Sequence, residues 1–329
     1  MTGGTTDEAA GGARFRAPRG PVLMLLAVLL AGLLAGHRAV PNVRGLGSLL
    51  DSVTPLLGLG VPALVLGALL RRSRPALVAA LLPATVWAVL FGPALLPPAA
   101  GAGPVTLRVA SQNLRAGNPD PAGTVDALVS SGADLIALQE VNRDDRVAAA
   151  LHSRYPHHAE VSTVALWSRY PHHAEVSTVA LWSRYPVRES TGVDTGLGWT
   201  RALRAVVAAP GGDLVVYVAH LGSARAGDTA TRDETVRRLA AAVRADPARH
   251  LVVLGDLNTA STDRVFAPLT RLLGDAQADA GQGFGFTWPA ELPVTRPDHV
   301  LYRGLTPTSA GVLHTPDSDH RAVTAGFRW

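Results

Sequence analysis

Residues able to do chemistry stand at the ends of apolar runs through the C-terminal two-thirds of the chain. Asn113 closes the run Leu107–Leu114, and Gln139-Glu140 follow the apolar Leu135–Leu138. His220 follows Leu214–Ala219, while Asp256 and Asn258 follow Leu251–Leu254 in the string Gly255-Asp256-Leu257-Asn258. Asp298-His299 open another run, and Ser318-Asp319-His320-Arg321 precede the last one. Side chains at the ends of adjacent buried strands converge on one rim of a sheet. Gathering Glu, several Asp, Asn and two His on such a rim is costly unless a cation or a substrate uses them. Carboxylate and amide oxygens with no thiolate among them suit Mg²⁺ or Mn²⁺ rather than zinc.

Composition narrows the chemistry further. All 30 basic residues are arginine, and the chain contains neither lysine nor cysteine. Schiff-base and phosphate-loop lysines, thiol nucleophiles, thiolate metal sites and disulfides are therefore excluded. No serine sits in a Gly-x-Ser-x-Gly setting, so acyl transfer is not supported either. The absence of cysteine fits either side of a membrane.

The elements that must position these residues read as one α/β domain. Strands are expected at 107–114, 134–138, 179–187, 202–208, 214–219, 251–254, 299–302 and 322–327, with a Pro210-Gly211-Gly212 turn between two of them. Helices are expected at 121–131, 144–152, 229–245 and 265–273, the third with Val236, Leu239, Ala240 and Val243 on one face. Hairpins and crossovers mix, which places sheets between helical layers.

The ordered strings SQNL (Ser111–Leu114), LIALQE (Leu135–Glu140), SRYP, VAHL (Val218–Leu221), GDLN (Gly255–Asn258), DHVL (Asp298–Leu301) and SDHR (Ser318–Arg321) together resemble the endonuclease/exonuclease/phosphatase superfamily. The resemblance covers residues 105–329 and implies a two-sheet β-sandwich flanked by helices in four layers. It implies that Glu140 is the principal metal ligand, with Asn113 and Asp319 on the metal side. Asp256 would orient or deprotonate the attacking water, and Asn258 would position that water or the phosphate. His220 and His320 would contact phosphoryl oxygens, Asp298 would orient them, and Arg201 would contact phosphate. His299 is expected to pack rather than react, and neither His157-His158 nor His172-His173 is a natural chelate, because adjacent strand residues face opposite sides. Trp288 is expected either in the core or bordering the substrate.

The N-terminal third has a different character. Pro21–Gly36, Pro55–Leu70 and Pro75–Ala100 are uncharged apolar runs, and a helix spans a bilayer with about 17–25 such residues. About three transmembrane helices are therefore expected, with a cleaved signal peptide as the alternative reading of the first. Arg14, Arg16 and Arg19 precede the first run, and Arg71, Arg72 and Arg74 lie between the second and third. Positive residues stay inside, so residues 37–54 and everything after about residue 101 are expected outside the cytoplasmic membrane. Val43–Val53 could lie along the interface. The expected organisation is a cytoplasmic tail at 1–20, spans within 21–100, a linker at 101–104 and a catalytic domain at 105–329.

Residues 1–104 hold 8 Arg and 3 acids, whereas residues 105–329 hold 22 Arg and 23 acids. The excess positive charge thus belongs to the membrane third. The catalytic domain lacks the basic surplus expected of a strongly salt-dependent polyanion binder. The reading is a membrane-anchored phosphoesterase that hydrolyses phosphodiester bonds with activated water and Mg²⁺ or Mn²⁺. Its substrate would be nucleic acid or, as in sphingomyelinase-like enzymes, phospholipid; a non-catalytic membrane-tethered binding module is the rival. Membrane lipid is the only other partner implied, and no protein partner is.

One internal repeat stands out. Ser153–Trp167 recurs unchanged as Ser168–Trp182. Two copies of 15 residues do not make a solenoid. The surplus, near 157–171, is expected to form an extra hairpin or a surface loop.

Overall fold

The computed structural model describes residues 20–97, 103–141, 145–162, 178–225 and 227–329. The chain divides into two compact units, one of Met1–Ala35 and Leu57–Ala88 and the other of Gly36–Leu56 and Val89–Trp329. Four helices open it: α1 (Pro21–Gly36), α2 (Leu46–Val53), α3 (Gly60–Leu70) and α4 (Arg74–Leu95). The smaller unit packs through Ala27, Leu64 and Ala80. Three helical segments, Pro21–Ala39, Val43–Leu70 and Arg74–Leu95, are long and apolar enough to cross a membrane.

In the larger unit, two six-stranded mixed sheets pack face to face. The first contains β1 (Leu107–Asn113), β2 (Leu135–Val141), β3 (His157–Ser162), β4 (Thr178–Ser183), β11 (Thr306–Leu313) and β12 (Ala322–Arg328), in the order β11-β12-β1-β2-β4-β3. The second contains β5 (Val187–Gly192), β6 (Ala202–Ala209), β7 (Gly212–His220), β8 (Leu251–Asp256), β9 (Gly274–Asp275) and β10 (Asp298–Arg303), in the order β5-β6-β7-β8-β10-β9. Helices α5 (Pro121–Ser130) and α6 (Asp145–His152) cover the outer face of the first sheet. Helices α7 (Ala230–Ala245) and α8 (Ala267–Thr270) cover the second, which completes four layers.

The period-2 alternation of strands explains how one apolar run serves two cores. In β8, Val252 and Leu254 enter the core between the sheets, while Leu251 and Val253 pack under α7. A strand buried on both faces needs an unbroken apolar run, and β8 has one. Burial of each such side chain contributes about 1.5–3 kcal/mol.

Several expectations are refined. The expected strand 179–187 is two strands, β4 and β5, that belong to different sheets. The expected helix 265–273 is a 3₁₀ turn at Arg264–Phe266 followed by the short α8. Strand β11 was not foreseen: it is an outer strand of half-buried, Pro- and Gly-containing sequence with no alternating apolar signal. In the repeat, β3 comes from the first copy and β4 from the second, paired antiparallel from His157↔Ser183 to Ser162↔Thr178. The remainder of the expected hairpin or loop lies outside the described residues, as do His172-His173.

Candidate active site

The same alternation that builds the inter-sheet core delivers the polar residues to its rim. Leu214, Val216 and Val218 of β7 face that core, and His220 has their parity. Val252 and Leu254 of β8 are followed in parity by Asp256, Val300 of β10 is preceded by Asp298, and Leu107 and Val109 of β1 lead to Asn113. Register completes the row: His220 lies opposite Asp256, and Asp256 opposite Asp298. The strand that carries Asp256 must pass close to its neighbour at Gly255, where φ is +142° and a Cβ would collide with the Ala219 carbonyl oxygen.

Glu140 breaks the alternation. By parity it would face α5 and α6, since Leu135 and Ala137 point into the inter-sheet core. The β2–β4 register shifts between Leu138 and Val141, and Glu140 has φ +54°. This bulge re-aims the carboxylate toward the rim. A non-glycine residue in the left-handed region costs about 1 kcal/mol or more and persists where its surroundings hold it. Here Glu140 Oε1 accepts from Asn113 Nδ2 at 2.9 Å, and Oε2 accepts from the Ala116 backbone at 2.6 Å.

Asn113 ties the two sheets together, because the same Nδ2 also donates to Asp256 Oδ2 at 3.0 Å. His220 Nε2 stands 3.6 Å from Glu140 Oε1 and 3.7 Å from Asp256 Oδ2. His320 Nε2 approaches the same Asp256 oxygen at 3.8 Å, and its Nδ1 is 2.8 Å from Asp298 Oδ2. Thr287 Oγ1 donates to Asp298 Oδ2 at 2.6 Å. Arg201 Nη2 contacts both ring nitrogens of His220, at 2.9 Å for Nε2.

Burial and charge set the protonation states. Burial, then the nearby Arg201 and His320 charges, hold His220 well below the ordinary histidine range, so it is neutral. Burial opposes the charged form of His320, but the carboxylates of Asp298 and Asp256 outweigh it and raise the imidazole to about 10. Burial raises Asp256 to about 6, against the pull of His320 and with the push of Asp298. A neutral imidazole, an imidazolium and a carboxylate poised near neutrality thus share one cleft.

The donor set fits a hard divalent cation. Carboxylate oxygens of Glu140 and Asp256 are gathered about one amide, and Asp298 Oδ1 is buried without a hydrogen-bond partner. Ligand atoms of Asp256, Asp298 and His320 also lie within 4.8 Å of one another.

Of the residues named from sequence, Asn113, Glu140, His220, Asp256, Asp298, His320 and Arg201 meet in this cleft. Asn258 borders it: its backbone N–H donates to Asp256 Oδ1 at 2.9 Å, and its side chain donates to the Leu221 carbonyl at 3.0 Å. Asp319 is exposed at the edge of the site: its backbone carbonyl accepts from Ala290 N–H and its charge acts on His320. His299 is buried, ring-packed on Phe266 and 2.8 Å from the Thr259 carbonyl. Trp288 is 42% exposed. Sequence reasoning missed Thr287, which buttresses Asp298, and Gln112, which donates to the His320 carbonyl and to Ser318. Gln112 lay within the matched SQNL string, but Thr287 carries no local signal.

A sequence model described as the Endonuclease/Exonuclease/phosphatase family matches residues 110–320. No curated protein matches the chain. Among solved structures, an endonuclease/exonuclease/phosphatase from Beutenbergia cavernae is similar at 21% identity and TM-score 0.54, covering 68% of this chain and 72% of that one. The 3′ phosphatase NExo from Neisseria, bound to a product DNA hairpin, is similar at 19% identity and TM-score 0.54, covering 68% and 100%. TDP2 from D. rerio, complexed with a single-strand DNA product, is similar at 18% identity and TM-score 0.54, covering 68% and 99%. These likenesses are to the fold, and with the matched span reaching from β1 to His320 the chain belongs to the endonuclease/exonuclease/phosphatase family.

Proposed function

We propose that the protein is a membrane-anchored, divalent-metal-dependent phosphoesterase that hydrolyses phosphodiester bonds. The observation that carries this reading is the single amide of Asn113 spanning Glu140 and Asp256, with His220 and His320 flanking the same Asp256 oxygen. Glu140 and Asn113 would hold Mg²⁺ or Mn²⁺, which when bound supplies positive charge to the phosphoryl oxygens. Asp256 accepts a proton from the attacking water. His320 is oriented by Asp298 through Nδ1 and presents Nε2 to the phosphoryl group, the arrangement of a positioned general acid. Arg201 adds a second cation beside His220. Its Nε is buried without a partner, which suits it to an incoming anion. Asp319, placed on the metal side from sequence, would act at most through its charge on His320.

NExo and TDP2 are described with DNA products, which supports nucleic acid as a substrate. A phospholipid is the second reading, and the apolar N-terminal helices favour it by keeping the enzyme at a lipid surface. The test is the full chain in lipid nanodiscs, assayed with Mg²⁺, Mn²⁺ or EDTA against DNA, RNA, sphingomyelin, phosphatidyl lipids and inositol phosphates. Metal-dependent hydrolysis abolished by Glu140→Ala and by His320→Ala is expected. Activity unchanged in both variants would sink the site assignment.

A further inference from the structure

Arg232 of α7 is only 1% exposed, although it carries a full charge and lies outside the cleft. Its guanidinium is satisfied from three directions. Nε donates to Asp233 at 2.8 Å, Nη1 donates to the Asn258 carbonyl at 3.0 Å, and Nη2 meets Asp263 Oδ2 at 3.0 Å and Ser48 Oγ at 2.5 Å. Ser48 belongs to α2, in the segment between the first two apolar runs. Its hydroxyl donates on to Asp263 Oδ2, and its backbone N–H donates to Asn42 Oδ1.

A second anchor fixes the same segment. Asp51, fully buried, accepts from Arg264 Nε at 2.6 Å and its backbone N–H at 3.0 Å through Oδ2, and from Arg264 Nη2 at 3.0 Å through Oδ1, which His37 Nδ1 also approaches at 2.7 Å. Arg264 also donates to the carbonyls of His37 and Val40. The polar face of α2 is thus spent on the catalytic unit, while Val43, Leu46 and Leu49 remain exposed.

What Arg232 holds matters for the cleft. Asn258 is a non-glycine residue at φ +48°, a conformation that relaxes unless its neighbours over-determine it. Its N–H is fixed by Asp256 Oδ1 and its carbonyl by Arg232. The carbonyl belongs to the Asn258–Thr259 peptide and the N–H to the one before it, so freeing the carbonyl would act on Asp256 indirectly, by letting the left-handed backbone of Asn258 relax and shift its N–H.

We propose that the segment between the first two apolar runs is a working part of the active site: Ser48 seats Arg232, and Arg232 is a positioning residue for Asn258 and, through it, for Asp256. The inference rests on the phosphoesterase reading for its kinetic readout alone. The Asp51–Arg264 anchor holds the segment in place, and Ser48 transmits that placement to the catalytic loop.

The experiment uses the full chain in nanodiscs, with bis-p-nitrophenyl phosphate and Mn²⁺ for kinetics and hydrogen exchange of the peptide covering 255–262 as a readout independent of turnover. Ser48→Ala should lower kcat by about tenfold, as expected for loss of a hydrogen bond to a charged group, with KM unchanged and the melting temperature lower by a few degrees at most. Amide exchange across 255–262 should rise by roughly tenfold as local opening becomes easier. Arg232→Lys, which keeps the charge but not the fork, should behave alike. Ser52→Ala on the same helix should change neither. Unchanged exchange in Ser48→Ala and Arg232→Lys overturns the proposal, as does an unchanged kcat. Glu140→Ala separates the two readings. If it retains full activity the phosphoesterase site fails, whereas an inactive Glu140→Ala beside a wild-type-like Ser48→Ala defeats only this inference.

Discussion

The Nδ1 atom of His320 lies 2.8 Å from Oδ2 of Asp298, and that same oxygen accepts the Thr287 hydroxyl, so one buried carboxylate fixes the ring and is itself fixed. The pair joins a loop before β12 in one sheet to the start of β10 in the other. Asp298→Asn keeps the shape but removes the charge that holds the imidazolium. It should lower kcat by about 10²–10⁴-fold, the range for losing general acid–base help, with little effect on KM. Steady-state kinetics with a chromogenic phosphodiester checks this, and a loss confined to KM would contradict the role given to His320.

His299 supplies a pH dependence whose sign can be worked out. Burial is the main cause that depresses it to about 4, from an ordinary value of 6.5. The unfolded chain therefore binds a proton that the folded chain refuses between these values. Stability from the neutral ring is complete above about pH 6.5 and is lost as pH falls toward 4. His299→Gln, which can still donate to the Thr259 carbonyl, should flatten the fall in melting temperature between pH 6.5 and 4.5. An identical slope in the variant and the parent would show that other groups carry the acid sensitivity.

Topology is open to a direct measurement. By the positive-inside rule, the arginine clusters at 14–19 and 71–74 would both lie on the cytoplasmic side, with residues 37–54 outside. A phosphatase reporter fused after Trp329 should be active only when exported, and a cytoplasmic reporter at the same position should be silent. Reversing both results would overturn the orientation.

Much of the site was legible because strand parity and strand ends are sequence properties. His220, Asp256 and Asp298 each continue an apolar alternation by two residues, and Asn113 continues one by four, past Ser111, so their convergence follows from the sheets alone. Glu140 was named by its motif, yet its aim depends on a bulge that no periodicity announces. Arg201 was placed beside phosphate on a loose match and lies against His220. Asp319, given a metal-side role from its motif, is exposed beside His320 and acts on that ring through its charge. The partners that buttress the rim were hidden for another reason. Thr287 and Arg232 act from 11 and 26 residues away on Asp298 and Asn258, and such pairings are set by packing rather than by local pattern. The polar face of α2 was invisible within an apolar stretch because its side-chain contacts with Asp263 and Arg264 come from just two residues, Ser48 and Asp51, among those described.

The tandem repeat gives the last prediction. Strand β3 ends at Ser162 and β4 begins at Thr178, so the chain between them is one repeat period long. Removing one copy joins Ser162 to Thr178 and leaves the pairs from His157↔Ser183 to Glu160↔Ala180 intact in principle. The four residues Val161, Ser162, Thr178 and Val179 then form the connection, a length common in hairpins. Most of the apolar face survives as well, since Ala159 and Leu181 still reach the inter-sheet core from paired positions, while Val179 moves into the connection. Shortening the connection from 15 to four residues changes its closure entropy by only about 1.2 kcal/mol. Deleting Thr163–Ser177, which yields the same sequence as deleting Ser168–Trp182 because the two copies are identical, should therefore leave a cooperatively folding, active protein with a melting temperature near that of the parent. Loss of cooperative unfolding in the deletion, followed by circular dichroism or calorimetry, would show that the second copy is integral to the sheet.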